Sequence, residues 1–580
     1  MLSMLKITYS KKDYRYIFIL HDNTTKTVCK RGRSLSMSEI SLLEEHLNQI
    51  PAYQFLPSFS GIPRPEVYLE KTKINGRVVH YCSSGLWKEI RDWCKVNNIE
   101  VSGPDDDLKL TSFSMSLVEF TEYVRSWGLN LEPRDYQVEA VWRILHYRCS
   151  LSQLATRAGK TLIAYMVFRY MLEHGAHNIL MIVPSISLVR QGVEDMKEYQ
   201  EFFQSETVWA KGEYAQSANL TIGTFQSLVK RCNKGSRGRV NKQYDPKFFS
   251  KFDVVCVDEC HKANCQSIKD ILSLDFIKHA KLRFGFSGTL PDESTLDSYA
   301  VQALLGPCVQ DLSSRELINQ GYLAEPIITQ VRIHYKDDDH MTNEYIKYGE
   351  YLCSNFVEED GKRVKRSKDA QDMTMIYEKR LPIALVEARR QMCDSDYRTF
   401  LIDLCKAQGS NLLTLEQMIA EHSQKKLDTI HEIIFSWDKN GILFAHNEAY
   451  IDHLYDYLSR AFPNRNIYKI KGSTSPKSRA KIMECMNTQD TNAVLVASYG
   501  CVGTGLTFKN VDYCVFAQSF KSRIINMQSI GRGLLLGGDK QEFYVYDIID
   551  CFPTKRLERQ GDAKRKVYTK AQYKFKIISK

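Results

Sequence analysis

Short oily runs that stop at small or polar residues and lead into helical stretches recur in two blocks of this chain. That alternation admits one architecture. In the first block the runs are Ile179–Val183, Leu220–Gly223, Val254–Val257 and Arg283–Phe286. In the second they are Ile442–His446, Ile467–Ile470, Ala493–Ser498, Tyr513–Ala517 and Phe543–Asp547. Runs that are apolar on both faces and rich in β-branched residues suit buried parallel strands. Strand, turn and helix in repeated order make βαβ units. The expected fold class is α/β, with two tandem parallel-sheet lobes at 129–325 and 326–553.

The flanking segments read differently. Residues 1–128 hold short apolar runs such as Tyr16–Leu20, a turn segment with Pro57, Pro63 and Pro65, and a helix-like stretch at Leu86–Val96. They read as a small N-terminal accessory α+β domain. Within the second lobe, residues 336–440 have charged, loop-like stretches at Asp337–Asp339 and Glu358–Lys368, and helical periodicity at Leu381–Cys393 and Leu412–Phe435. A mostly helical insertion is expected there, with the basic run Lys362–Lys368 as a solvated loop in preference to a DNA contact. Residues 554–580 carry ten Lys or Arg against Glu558 and Asp562, which is +8 of the net charge of +10. Tyr568, Tyr573 and Phe575 are interleaved with these cations. The segment reads as a basic tail, either solvated or meeting phosphates and stacking bases.

Composition narrows the class further. At 580 residues the chain is long enough for about three domains with real cores, and 43% hydrophobic residues exclude a largely disordered chain. No apolar stretch reaches membrane-spanning length and the start is not a signal peptide, so a cytoplasmic protein without membrane contact is expected (host cytoplasm if viral). Sixteen cysteines without Cys-x-x-Cys pairs suit reduced thiols. Cys256, Cys260 and Cys265 are close in sequence, but strand geometry argues against a metal site among them.

Two features carry chemistry. The run 254–261 delivers Asp258 and Glu259 to the carboxyl end of a strand, where open parallel sheets place ligands. Adjacent buried acids need a cation nearby, and a magnesium nucleotide supplies one. Upstream, Leu154–Thr161 ends in Gly159-Lys160-Thr161 and runs into an apolar helix. Backbone N–H groups of such a loop, here through Ala158 and Gly159, make an anion site. Lys160 is expected to neutralise the outer phosphates and Thr161 to ligate Mg2+, with Asp258 holding the same ion through water. Glu259 is expected to orient or deprotonate the attacking water. ATP and Mg2+ are the implied cofactors.

Taken in order, the motifs resemble helicase superfamily two across roughly 132–550. Arg134-Asp-Tyr-Gln137 looks like the element before the phosphate loop, where the resemblance implies that Gln137 reads adenine. Val183-Pro-Ser185 and Gly223-Thr-Phe-Gln226 resemble motifs that grip the sugar–phosphate backbone, through Ser185 and Thr224. Phe286-Ser-Gly-Thr289 resembles the motif in which Ser287 and Thr289 couple hydrolysis to strand movement. Phe444-Ala-His446 and Lys471-Gly-Ser473 fall where further backbone contacts lie. Residues 498–505 look like motif five, with Ser498 and Thr504 on the strand and Gly505 toward the nucleotide. Gln528-Ser-Ile-Gly-Arg-Gly533 looks like motif six, which implies catalytic roles for Gln528 and Arg532.

Within the superfamily the likeness is to UvsW-type branched-DNA helicases of tailed bacteriophages. It implies RecA-like lobes and an ATP-dependent DNA helicase or translocase acting on forked or branched DNA in replication, recombination or repair. The resemblance further implies that lobe one binds ATP and that lobe two closes on it with Arg532. Type-III-restriction-like motors share much of the pattern, but no nuclease carboxylate–lysine cluster stands outside the motor. The expected partner is DNA (forked, branched or single-stranded), with RNA as the alternative. Other replication or recombination proteins are candidate partners, and the chain is expected to act as a monomer.

Two positions depart from the family. Leu535 stands where a second motif-six arginine acts as the γ-phosphate finger, and Leu154 replaces the first glycine of the simple phosphate loop. Arg157, inside the loop, is expected to supply part of the missing charge. An ATP-gated nucleic-acid clamp with weak ATPase is the alternative that Leu535 raises.

Overall fold

A computed structural model describes residues 3–10, 13–19, 43, 47, 70–74, 77–83, 86–97, 99–102, 113–208, 218–232, 245–291, 295–336, 339–354, 356–359, 362–365, 381–407, 412–502, 510–518, 527, 529–531, 533–534 and 540–580. The Pro57–Pro65 turn segment, Leu20, Asp337 and residues 366–368 lie outside them. By contact the chain divides into two units, Met1–Ser313 and Ser314–Lys580.

The first unit carries two sheets. One takes β1 (Ser3–Ser10), β2 (Asp13–Ile19), β3 (Glu70–Ile74), β4 (Arg77–Ser83) and β5 (Ile99–Ser102) in the order β3-β4-β2-β1-β5. Its pairs are antiparallel except β1 with β5. A helix at Trp87–Val96 accompanies it and buries Trp87, Ile90 and Cys94. The other sheet takes β6 (Cys149–Leu154), β7 (Ile179–Val183), β8 (Ser205–Val208), β9 (Leu220–Thr224), β10 (Val254–Asp258), β11 (Leu282–Ser287) and β12 (Cys308–Leu312). All its pairs are parallel, in the order β12-β6-β11-β10-β7-β9-β8. The oily runs read from sequence are its central strands.

The helix Lys160–Glu173 is buried nearly all round, from Leu162 to Met171. A helix apolar on every side has to be sandwiched. Tyr165 and Phe168 meet Phe203, and Phe168 also meets Phe284 of β11. Residues 113–127 pack on this lobe too. Phe113 lies edge-on to Tyr170, Trp142 Nε1 donates to Met115 O at 2.9 Å, and Tyr123 Oη donates to Glu173 at 2.6 Å. The expected boundary at 128 therefore cuts through material that packs on the first lobe.

The second unit builds one sheet from β13 (Glu325–His334), β16 (Gly441–Ala445), β17 (Ile467–Ile470), β18 (Val494–Ser498), β19 (Tyr513–Phe516), β20 (Glu542–Cys551) and β21 (Lys574–Ser579). All pairs are parallel, in the order β17-β18-β16-β19-β20-β13-β21. Between β13 and β16 come helices at Asp339–Ser354, Leu381–Gln391, Asp394–Ala407, Leu412–His422 and Gln424–Phe435. A short antiparallel hairpin of β14 (Phe356–Glu359) and β15 (Lys362–Lys365) lies among them, so part of the expected basic loop is strand. The insertion is not an appendage. Tyr345, Tyr397, Leu401, Leu415 and Ile430 share one core with Leu443, Val496, Val515 and Ile548 of the sheet.

The basic tail is corrected. Residues Arg556–Lys570 form a helix and β21 joins the sheet beside β13. The helix buries Leu557, Gly561, Lys564 and Tyr568, an i, i+4, i+7, i+11 stripe that the surrounding cations hide in sequence. Tyr568 and Tyr573 are core residues, so they do not offer faces to bases. Lys564 pairs with Asp547 with both side chains at most 1% exposed, and Tyr568 Oη donates to the same carboxylate at 3.2 Å. Removing one partner strands a buried charge, which costs about 3–5 kcal/mol. Lys564→Ala should lower stability by that order in chemical denaturation; a loss under about 1 kcal/mol contradicts the pairing.

Candidate functional site

The end of β6 leads into the phosphate loop, whose backbone is unusual. Arg157 has φ +74° and Gly159 φ +77°, both left-handed. A Cβ at Gly159 would stand 2.2 Å from Gln137 Nε2, so only glycine fits. Gln137 is pinned at both ends of its amide. Its Oε1 accepts Arg134 N–H at 2.9 Å and its Nε2 donates to Ala158 O at 3.0 Å. Tyr136 Oη reaches the same carbonyl at 3.2 Å. In this arrangement Gln137, expected to read adenine, props the loop.

Glu259 follows β10 at φ +52°, another left-handed non-glycine residue. Such a backbone is uphill by about 1–3 kcal/mol and clusters at functional sites. The turn aims the carboxylate at two groups, Lys160 Nζ at 3.4 Å and His261 Nδ1 at 3.3 Å. Asp258 Oδ1 accepts the Glu259 N–H at 3.0 Å. Burial pushes the Asp258 carboxyl up to about 6; the Glu259 charge adds to this and Lys160 opposes it. Two adjacent acids thus share one lysine, a donor set short of positive charge.

His261 ties these acids to the end of β11. Its Nδ1 lies 2.9 Å from Ser287 Oγ. Ser287 Oγ donates to Thr289 O at 2.7 Å, so Nδ1 carries the hydrogen in that contact. Thr289 N–H returns a bond to Ser287 Oγ at 3.2 Å. Leu290 N–H, next in the chain, donates to Gln153 on β6 at 2.8 Å. A continuous polar path therefore joins Glu259 to Ser287 and Thr289. The Thr161 hydroxyl faces Asp195 and Tyr199 of the helix Ile186–Tyr199 and works to hold the Asp195 carboxyl down. Burial, with Glu198 beside it, nevertheless pushes Asp195 up to about 6.

The strand-contact candidates lie at strand ends. Ser185 caps the helix Ile186–Tyr199, accepting Leu188 N–H at 3.4 Å. Thr224 is buried and donates to Ser227 Oγ at 2.9 Å. Lys471 Nζ is held by Asp452 at 2.6 Å. Asp452 also takes Lys469 at 2.8 Å, and these two lysines hold its carboxyl below the usual range. Ser498 ends β18. Thr504, Gly505, Gln528, Arg532 and Leu535 lie outside the described residues.

Residues 130–292 match the family described as type III restriction enzyme, res subunit. Residues 425–534 match the helicase conserved C-terminal domain. The chain carries superfamily-two helicase domains. Its relatives include the ATP-dependent DNA helicase uvsW of Enterobacteria phage T4, 25% identical over 464 residues, covering 78% of this chain and 75% of that protein. The DNA 3'-5' helicase XPB of Kineococcus radiotolerans is 22% identical over 423 residues, covering 73% of this chain and 60% of that protein. Among solved structures, the type ISP restriction-modification enzyme LlaBIII bound to DNA superposes with a TM-score of 0.50 at 11% identity, over 77% of this chain and 31% of that one. That likeness speaks to the fold.

This helicase is ATP-dependent, and its two parallel sheets are RecA-like. Among its described residues no group of three or more His, Cys, Asp or Glu could hold a metal. Burial pushes the Cys256 and Cys260 thiols well up, as inert core thiols should be. Sequence reasoning assigned no role to His261, although it stood in the quoted Asp-Glu-Cys-His run. It also missed Asp195, which carries no motif. No helix among the described residues is long and apolar enough to cross a membrane.

Proposed function

We propose that the helicase unwinds or remodels forked and branched DNA during replication, recombination or repair, stepping on the sugar–phosphate backbone of one strand. The observation that supports the nucleotide half is the charge-deficient cluster Asp258, Glu259 and Lys160 at the carboxyl end of β10, beside a loop bent by two left-handed residues. Asp258, with its raised carboxyl, suits a hydrated divalent cation, and Mg2+ bound there would neutralise the outer phosphates of ATP. Thr161 can join that cation through an oxygen lone pair while its hydroxyl hydrogen stays directed at a carboxylate.

Lys160 then meets the outer phosphates, the loop N–H groups at Ala158 and Gly159 cradle them, and Glu259 orients or deprotonates the water. Arg157 contributes positive charge from within the loop, and Gln528, Arg532 and Gly505 carry the nucleotide roles that their motifs imply. His261, Ser287 and Thr289 relay the state of Glu259 within the first unit, whose strand-gripping residues are Ser185 and Thr224; Lys471, Ser498 and Thr504 are the strand-gripping residues of the second. Such contacts fix register without reading bases, so sequence preference is slight.

The DNA reading draws on the uvsW and XPB relatives. Displacement of a labelled strand from a forked duplex with ATP tests it. Unwinding of the DNA fork is expected; unwinding confined to an RNA fork overturns the DNA assignment, and none on either overturns the remodelling role.

A further inference from the structure

The last turn of the helix Leu412–His422 in the insertion places Glu421 in the core, 4% exposed. Its Oε1 accepts Gln518 Nε2 at 2.6 Å and its Oε2 accepts Asn447 Nδ2 at 3.3 Å. Gln518, just past β19, turns its own Oε1 to the backbone N–H groups of His446 at 2.7 Å and Asn447 at 3.2 Å, the residues after β16. Tyr499, after β18, donates its hydroxyl to Gln518 O at 2.9 Å. One carboxylate from the insertion thus governs the carboxyl ends of three neighbouring strands, β18, β16 and β19. Ligands of parallel sheets sit at that end.

The chemistry of the pair explains why an acid stands there. Both groups facing Glu421 are amide NH2 donors, and only a carboxylate accepts at both oxygens. That acceptance fixes which way Gln518 points, and so keeps its oxygen on the turn after β16.

We propose that Glu421 is a positioning residue for strand binding, holding the His446–Asn447 turn through Gln518 in the geometry that meets the nucleic-acid backbone. The inference rests on reading these strand ends as part of the nucleic-acid track.

A pH dependence accompanies the arrangement. Burial pushes the Glu421 carboxyl up to about 7, opposed by Lys426 and reinforced by Asp550. Lys426 itself pairs with Asp550 at 2.7 Å, and Tyr335 Oη donates to that carboxylate at 3.0 Å. Tyr450 and Tyr348 also face Glu421. Protonation removes one acceptor, so the clamp loosens as pH falls through about 7.

The test uses the full chain and single-stranded DNA, measuring the half-saturating DNA concentration and kcat of the stimulated ATPase between pH 6 and pH 8.5. Glu421→Gln keeps one acceptor oxygen and sets its NH2 group against either Gln518 Nε2 or Asn447 Nδ2, so one of the two bonds that hold the clamp is lost. It should raise half-saturating DNA about tenfold at pH 8, the size of a lost hydrogen bond or two, and move kcat less. Combining it with Gln518→Glu reverses the 421–518 bond and leaves an acceptor oxygen for Asn447 Nδ2 and for the His446 and Asn447 N–H groups, and should return the value to near wild type. In the wild type, half-saturating DNA should rise as pH falls below about 7, and Glu421→Gln should flatten that rise.

An unchanged value in folded Glu421→Gln, or a rise that the paired exchange leaves in place, overturns the proposal. If the single variant does not fold, a wild-type value that stays level from pH 8 to pH 6 overturns it. A wild-type ATPase that no nucleic acid stimulates defeats the functional reading as well; a stimulated wild type with unaffected variants defeats this inference alone.

Discussion

Glu259→Gln should lower nucleic-acid-stimulated ATP turnover by about 10²–10⁴, the usual contribution of a positioned general base. The substitution keeps the shape of a side chain held between Lys160 at 3.4 Å and His261 at 3.3 Å, and removes its capacity to take a proton. It also removes the neighbouring charge that helps to raise Asp258. The Asp258 carboxyl therefore falls, and ATP binding should be kept or tightened. Single-turnover hydrolysis and ATP affinity, measured on one preparation, check both halves. A rate within tenfold of wild type would remove Glu259 from the chemistry.

Lys160→Ala should be nearly as severe, and should differ in kind. Lys160 is the cation that holds Asp258 down and stands against Glu259. Without it the two acids repel each other and any incoming phosphate, so affinity for ATP and turnover should fall together. Loss of one preorganised charge partner predicts a drop in kcat of about 10²–10³. If kcat/KM stays within fivefold of wild type, Lys160 does not meet the phosphates. A split between the two variants, with binding kept in Glu259→Gln and lost in Lys160→Ala, separates the hydrolytic role from the binding role.

What could be read in the sequence follows from where burial is uniform. The central strands of both sheets, such as Ile179–Val183 and Val254–Val257, are buried on both faces and so appear as oily runs. β6 was missed because Ser150 and Ser152 are buried there in place of apolar residues. β21 was missed because exposed lysines alternate through an edge strand. The helix before it conceals a lysine in its buried stripe, which only the distant Asp547 makes tolerable.

At the site, Lys160, Asp258 and Glu259 were legible because their chemistry needs fixed types at fixed spacing. The bonds of Gln137 to Ala158, His261 to Ser287 and Glu421 to Gln518 were not. Each joins residues whose separation in sequence says nothing of their meeting.

The central claim is that ATP hydrolysis at Lys160, Asp258 and Glu259 serves movement on nucleic acid. ATPase rate titrated separately with forked DNA, single-stranded DNA, duplex DNA and RNA tests it most directly. The account predicts strong stimulation by forked or single-stranded DNA and little by RNA. A rate indifferent to every nucleic acid would contradict it.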